Sequence, residues 1–291
     1  MAPLPTPLLL LIAAAAFVLG CTASSEKGRT GTAAAAPTVV TLSATDYAFE
    51  TADTLSAGWT TFRLVNSGGQ PHMGQLVRLD PGMTIEDYLG AYEKAFRTAG
   101  PRPEWARRLG GPGVAAPQQT TNATLYLEPG NYLWICLFNL PDGIPHVVGH
   151  RMAKLFVVQA APARSSSPAE PKADVAIHLT EYGFSLSRPL EAGRQMIRVE
   201  NTGSESHEVA VIKLPPGKTE QDIRDWFRNP EKPPPVSMES VMGGLTSLAS
   251  GATAYFELDV TRGEYVLFCL VTAPDGRSHV EHGMIRQIGV G

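Results

Sequence analysis

The 291-residue sequence has only three cysteines, and basic residues do not outnumber acidic ones. Three thiols are too few for a fold held together by a disulfide framework. With 24 Lys and Arg against 28 Asp and Glu, the formal net charge is −4, which excludes a nucleic-acid binder working by phosphate neutralisation. Charged residues make up 18% of the chain, far from the excess that keeps a chain from collapsing. Beyond residue 21 no apolar run is long enough to span a bilayer. What the chain has in quantity is 28 Gly and 24 Pro, as in loop-rich β proteins, and at roughly 100–200 residues per domain its length suggests about two domains.

The one apolar run, residues 7–19 (PLLLLIAAAAFVL), has the length of a signal-peptide core rather than a membrane span. It runs into Val18-Leu19-Gly20-Cys21, which resembles a bacterial lipoprotein lipobox, although no Lys or Arg precedes the run. That resemblance implies cleavage before Cys21, lipid attachment to it and export to the cell envelope. Residues 22–37 (TASSEKGRTGTAAAAP) are small and polar, as a tether from a membrane surface would be. The expected organisation is a signal peptide over 1–20, a tether over 21–37, and domains over 38–159 and 174–291. A Pro/Ser/Ala-rich linker over 160–173 separates them.

The two long segments repeat each other. Asp46-Tyr47-Ala48-Phe49 matches Glu181-Tyr182-Gly183-Phe184, and Val65-Asn66-Ser67-Gly68 matches Glu200-Asn201-Thr202-Gly203. His72 matches His207, all at an offset of 135 (72 to 207). Gly130-Asn131-Tyr132 matches Gly263-Glu264-Tyr265, Cys136 matches Cys269, Pro141-Asp142-Gly143 matches Pro274-Asp275-Gly276 and His146 matches His279, at an offset of 133 (136 to 269). Met152 matches Met284 at 132. The halves are tandem copies with small loop deletions.

Each copy reads as β structure. In the first, residues 42–49, 60–66, 75–79, 123–127, 132–137 and 153–158 are short β-branched and aromatic runs between turn residues. In the second, the runs are 175–179, 195–200, 208–214, 253–260, 265–270 and 284–290. One helical insertion per copy is expected, opening at Thr84-Ile85-Glu86-Asp87 and at Thr219-Glu220-Gln221-Asp222, with Thr as N-cap and acids in the first turn. Short strands without βαβ alternation predict an all-β protein of two tandem sandwiches.

Six of the seven histidines occupy equivalent places: His72 with His207, His146 with His279, His150 with His282. Each copy has an early His, then Cys136-x9-His146-x5-Met152 or Cys269-x9-His279-x4-Met284. One thiolate, two imidazoles and a long thioether contact are the donor set of a trigonal blue-copper site. At these residues, and at Gly263-Glu264-Tyr265-Val266-Leu267-Phe268-Cys269, the sequence resembles the cupredoxin family over roughly residues 38–159 and 174–290. The long Cys–His spacing followed by His-x4-Met is similar to the copper loop of two-domain copper nitrite reductases.

The resemblance implies Greek-key cupredoxin-like sandwiches. It also implies copper ligated by His207, Cys269, His279 and Met284 in the second copy, and by His72, Cys136, His146 and Met152 in the first. His150 and His282 are alternative imidazoles. The sequence departs from the family after the early His, where Asn or Asp is usual and Met73 and Glu208 stand instead. Ile135 and Phe268 precede the cysteines, and no His-x-His occurs. The expectation is therefore a protein that is not an enzyme, carrying electrons to or from a redox or membrane-associated partner. Alternatives are a metal-free interaction module, copper storage or delivery, and a Cys136–Cys269 disulfide, which needs Cα atoms within ~7 Å. Met238 and Met242 read as packing, and Asn122-Ala123-Thr124 as an idle glycosylation acceptor.

Overall fold

A computed structural model of the chain describes residues 35–162, 168–229 and 231–291. The expected signal segment and Cys21 lie outside the described residues. No helix among the described residues is long and apolar enough to cross a membrane.

The first copy runs β1 (Thr38–Thr45), β2 (Ala48–Glu50), β3 (Thr54–Ser56), β4 (Gly58–Asn66), β5 (Gln75–Leu79), α1 (Ile85–Thr98), β6 (Ala106–Arg108), β7 (Thr120–Leu127), β8 (Gly130–Ile135), α2 (His146–Gly149) and β9 (Ala153–Gln159). The second runs β10 (Val175–Thr180), β11 (Gly183–Leu186), β12 (Gly193–Asn201), β13 (His207–Lys213), α3 (Glu220–Arg228), β14 (Val241–Leu248), β15 (Thr253–Val260), β16 (Gly263–Phe268) and β17 (Ile285–Val290). The expected strand over 42–49 is broken into β1 and β2 at Tyr47, whose φ of 69° turns the chain. Its counterpart Tyr182, at φ 55°, does the same between β10 and β11.

One eight-stranded sheet, in the order β11-β10-β12-β15-β7-β4-β1-β2, passes through both copies. The first copy closes against it with β3-β9-β8-β5-β6, the second with β14-β13-β16-β17. Alternation makes the sandwich: every second residue of β4 is buried, and Phe62 from that strand meets Trp134 of β8 edge-on with ring centroids 4.7 Å apart. The seam between β7 and β15 is held at Tyr255 opposite Thr124. Asn122 strengthens it, because its side chain donates to the Glu257 carbonyl at 2.9 Å and accepts from the Glu257 N–H at 2.7 Å. The residue that resembles a glycosylation acceptor is thus a clasp between the copies.

Both expected helices form, each capped by a reciprocal Thr–Asp box, Thr84 with Asp87 and Thr219 with Asp222. Helix α1 buries Tyr88, Leu89 and Tyr92 against Val77, Leu79, Leu133 and Ile135. Helix α3 buries Ile223 with Ile212, Val266 and Phe268. Each therefore covers the outer face of its own copy's second sheet.

A strand absent from the sequence reading is β14. Its Gly243-Gly244 pair and the proline-rich run before it hide it, since Gly weakens a strand pattern. It pairs with its counterpart in the first copy, residues 108–115. Gly110 donates to the Ser247 carbonyl at 2.9 Å, Thr246 to Gly111 at 3.0 Å and Gly113 to Gly244 at 3.0 Å. The glycines are required: a Cβ on Gly111 would lie 2.0 Å from the Gly74 carbonyl oxygen, and one on Gly244 would lie 2.0 Å from that of Val209. Gly244→Ala should therefore lower stability by on the order of 3 kcal/mol or more, combining strain at φ 111° with a backbone clash. Gly251→Ala, at φ 71° with nothing near, should cost only about 1–2 kcal/mol. Urea denaturation of both variants checks this, and equal losses would refute the close-approach argument.

Candidate metal centre

The early histidines are set by the loops before β5 and β13. Buried Asn66 donates through Nδ2 to the carbonyls of Gln70 and Ala115 at 2.8 and 2.9 Å. Asn201 does the same to Glu205 and Leu248, both at 2.8 Å. Each loop is thereby pinned to the glycine-rich ribbon, and the ribbon holds the His in turn. His72 exchanges backbone hydrogen bonds with Ala115, and His207 pairs with Leu248.

The thiols come from the ends of β8 and β16, and the loop after each returns on itself. The Pro141-Asp142-Gly143 and Pro274-Asp275-Gly276 sequences make its tip, with Gly143 and Gly276 at φ 83° and 84° and each Asp side chain accepting the N–H two residues on. His146 donates to the Phe138 carbonyl at 2.9 Å and His279 to that of Val271 at 2.8 Å. The Met then closes the loop: Cys136 donates to the Met152 carbonyl at 3.2 Å, and Cys269 to that of Met284 at 3.1 Å. The extra residue of the first loop is absorbed by the short α2 turn. Both loops then reach Met through a left-handed residue, Arg151 at φ 54° or Gly283 at φ 103°. Met152 and Met284 are fully buried in the core that contains the two thiols.

These constraints bring His72, Cys136 and His146 together in one copy and His207, Cys269 and His279 in the other. In each group the ligand-type atoms all lie within 4.8 Å of one another, an arrangement that could hold a metal ion. Sγ of Cys136 is 3.7 Å from Nδ1 of His72 and 3.5 Å from Nδ1 of His146, and those nitrogens are 3.3 Å apart. In the second copy, Cys269 Sγ to His279 Nδ1 is 3.4 Å and His207 Nδ1 to His279 Nδ1 is 2.9 Å. None of the six side chains is more than 1% exposed. Both cysteines are free, so no disulfide joins them.

The electrostatics suit a cation. Burial holds the His146 imidazole down at about 4, with His72 beside it adding to the effect, and burial with His279 holds His207 at about 4. His72 and His279 are also lowered by burial, against the pull of Asp46 and Glu205 respectively. Near neutral pH all four rings are therefore uncharged, with lone pairs free to donate. Burial pushes the Cys136 thiol up to about 12 and raises that of Cys269, so each sulfur keeps its proton until a cation replaces it. Backbone N–H groups of Met73 and Phe138 face the first sulfur, and those of Glu208 and Val271 the second, ready to stabilise a thiolate. Two neutral imidazoles and a thiol, converging in a dry pocket, are a donor set that fits copper.

Several neighbours of the site are not evident from ligand spacing. Glu208, which takes the place after the early His, donates its N–H to Cys269 Sγ at 3.4 Å and accepts the Leu270 N–H at 2.8 Å through its carboxylate. It thus ties the His strand to the Cys strand; Met73 has no carboxylate to do the same. Glu205 lies 3.1 Å from Nε2 of His279, which places the proton on Nε2 and leaves Nδ1 to face the thiol. The first copy has Gln70 at that place, and the nearest carboxylate to His72 Nε2 is Asp46, at 3.8 Å.

His150 and His282 lie outside both groups. His150 stacks on Tyr47 with centroids 3.6 Å apart, and His282 on Tyr182 at 4.6 Å. Each tyrosine in turn meets His146 or His279 edge-on at 5.1 Å. The repeat marks Tyr47 and Tyr182 in sequence, yet only the fold shows that they cover the ligand-type imidazoles.

The fold is cupredoxin-like, a pair of β-sandwiches each carrying a buried His–Cys–His group. No family model matches the chain, and no curated protein does. Among solved structures it is similar to auracyanin A, a "blue" copper protein from Chloroflexus aurantiacus, at 21% identity, covering 43% of this chain and 99% of that one with a TM-score of 0.31. It is similar to an azurin from Methylomonas sp. strain J at 14% identity, covering 44% and 100% with a TM-score of 0.29. Similarity over both copies is found to a copper-containing nitrite reductase from Thermus scotoductus at 12% identity, covering 89% of this chain and 62% of that one, TM-score 0.23.

A multicopper oxidase is also similar, at 11% identity and a TM-score of 0.24 over 87% of this chain and 88% of that one. The expectation that this chain is not an enzyme is corrected by the last two, which are enzymes. Its basis was that Ile135 and Phe268 stand before the cysteines and that no His-x-His occurs, and neither absence excludes an activity.

The lowered imidazoles carry a pH signature for the metal-free chain. Unfolded His titrates near 6.5 and the buried rings well below it, so the unfolded state binds more protons as pH falls through 6.5. Stability should be full above pH 6.5 and decline from there towards pH 4, before the ion-paired carboxylates titrate. Urea midpoints on both sides of 6.5 test this; a flat profile over that window would mean that the rings are not held neutral.

Proposed function

We propose that the chain is an exported, lipid-anchored copper protein that carries electrons at the cell envelope through a mononuclear type 1-like centre in each copy. The observation that carries this reading is the recurrence of a buried His–Cys–His group at equivalent places in both copies. Copper, when bound, supplies a one-electron couple there. The chain supplies donors fixed by strand ends and by a loop closed through backbone hydrogen bonds. His207, Cys269, His279 and Met284, with His72, Cys136, His146 and Met152, are the proposed ligands. A donor set held this firmly needs little rearrangement between oxidation states, which favours rapid one-electron exchange. The burial of every donor disfavours the alternative of copper storage or delivery, which needs exposed and exchangeable ligands.

The lipobox-like Cys21 and the polar segment after it support anchoring to a membrane, with a redox or membrane-associated protein as partner. The proposed order is signal peptide 1–20, tether 21–37, first domain 38–159, linker 160–173 and second domain 174–291.

Copper(II) added to metal-free protein under anaerobic conditions should give the intense visible band of thiolate-to-copper charge transfer, with uptake approaching one ion at each of the two groups. Cys269→Ser should remove only the second copy's share, and Cys136→Ser the rest. Absence of both band and copper uptake would overturn the reading.

The two centres should also differ in potential. A carboxylate on the ring of His279 raises the basicity of that ligand and favours the oxidised ion, whereas His72 has only a more distant one. Spectroelectrochemistry should resolve two midpoints with the second copy lower, and Glu205→Gln should raise that midpoint alone. Coincident midpoints, unmoved by Glu205→Gln, would refute the assignment of this carboxylate.

A further inference from the structure

A cavity of about 320 Å³ lies between the two copies, within the size range of small-molecule sites. Its wall contains residues that flank both ligand groups: Met73 follows His72, Phe138 stands two after Cys136, Glu208 follows His207, and Phe268 and Leu270 bracket Cys269. Helix α3 contributes Trp226 and Phe227, and the segment leading into β14 contributes Met238. The wall is mostly aromatic and aliphatic, with the hydroxyls of Ser237 and Thr246 and one ionisable side chain, Glu208. One oxygen of that carboxylate accepts the Leu270 N–H, and a carboxylate has capacity for further donors. The Phe227 and Phe268 rings are 5.5 Å apart and the Trp226 and Phe227 rings 5.0 Å apart, so the aromatic side is already assembled without an occupant.

We propose that this cavity binds a small planar aromatic molecule bearing a hydroxyl group, of the phenol class, whose ring packs on the Trp226–Phe227 side and whose hydroxyl donates to Glu208. The volume suits one or two rings rather than a polypeptide segment. The single carboxylate in a mostly apolar wall favours a ligand that brings a donor, because a ring without one leaves the carboxylate desolvated and unmatched. The site needs no metal, so it stands apart from the copper reading. Its position beside both His–Cys–His groups would place a bound ring next to the strand ends that hold them.

The test is calorimetric titration of the copper-loaded full chain at pH 8 with 2-naphthol and with 2-methoxynaphthalene, which keeps the rings and lacks the donor. The naphthol should bind once per chain and about tenfold more tightly than the ether, since leaving a buried acceptor unmatched costs about that factor. Glu208→Met, which copies the residue at the equivalent place in the first copy, should reduce the preference to less than about threefold. Met238→Trp and Ala210→Phe, each filling the cavity from a different wall, should abolish binding while the charge-transfer band of the same samples persists. Absence of saturable binding, equal affinity for both compounds, or a preference that survives Glu208→Met would each overturn the proposal. The visible band, read in parallel, reports separately on the copper reading.

Discussion

The structure depends on two places where backbone meets backbone with no room for a side chain, Gly111 against the Gly74 carbonyl and Gly244 against that of Val209. Each carbonyl belongs to the strand or loop two residues beyond an early histidine, His72 or His207. The close approach therefore does two things. It lets the ribbons 108–115 and 241–248 cross and exchange hydrogen bonds, which joins the copies into one body. It also fixes the depth at which each histidine strand sits in its sandwich, and so the reach of each imidazole towards its thiol. A methyl group at either place would push apart the elements that both the interface and the donor groups require.

Once the histidines are fixed, burial governs the chemistry. An isolated buried thiol is neutral and inert, and an imidazole in the same surroundings sheds its proton. Together they make a cluster of neutral donors whose nitrogens approach to 2.9–3.3 Å. Nothing within either group supplies a compensating positive charge for a thiolate. A cation at the centre would do so, and it would displace one thiol proton as it binds. The dry pocket that penalises each charge alone thus favours the pair of thiolate and metal. The same dryness explains why the outer nitrogens matter: it is on that side that carboxylates such as Glu205 and Asp46 come near the rings.

Much of this was legible in the sequence because duplication converts weak signals into matched ones. The Cys–His–Met spacing, the Pro-Asp-Gly turns and the Thr–Asp caps are local, and local rules place them correctly. The sandwich was legible from alternation in runs such as 60–66. What escaped was non-local. Strand β14 reads as loop because its Gly-Gly centre lacks side chains to alternate, and its partners are β13 on one side and, on the other, a segment more than a hundred residues away. Asn122 reads as a surface acceptor because nothing local shows that β7 is a seam. Tyr47 and Tyr182 read only as matched positions of the repeat, and their edge-on contacts with His146 and His279 and stacking on His150 and His282 show that they cover the site. His150 and His282 likewise satisfy any rule based on composition, and geometry alone sets them outside the donor groups.

The copies agree in donors and differ in what surrounds them. Gln70 stands where the second copy has Glu205, and Met73 where it has Glu208. The second group accordingly has a carboxylate at hydrogen-bond distance from an imidazole and another bridging its His and Cys strands, while the first has only the more distant Asp46. Glu208 and Met73 also face the same cavity, one as its only ionisable wall and the other as an apolar one. An exact duplicate would present the cavity with two like walls and give both centres one electrostatic setting. Two differences between the copies, close to the His–Cys–His groups but outside them, instead make the electrostatic setting of the groups unequal and give the cavity a direction. Divergence at these positions leaves the donor groups intact, because the glycine crossing and the closed Cys–Met loops that build them lie elsewhere.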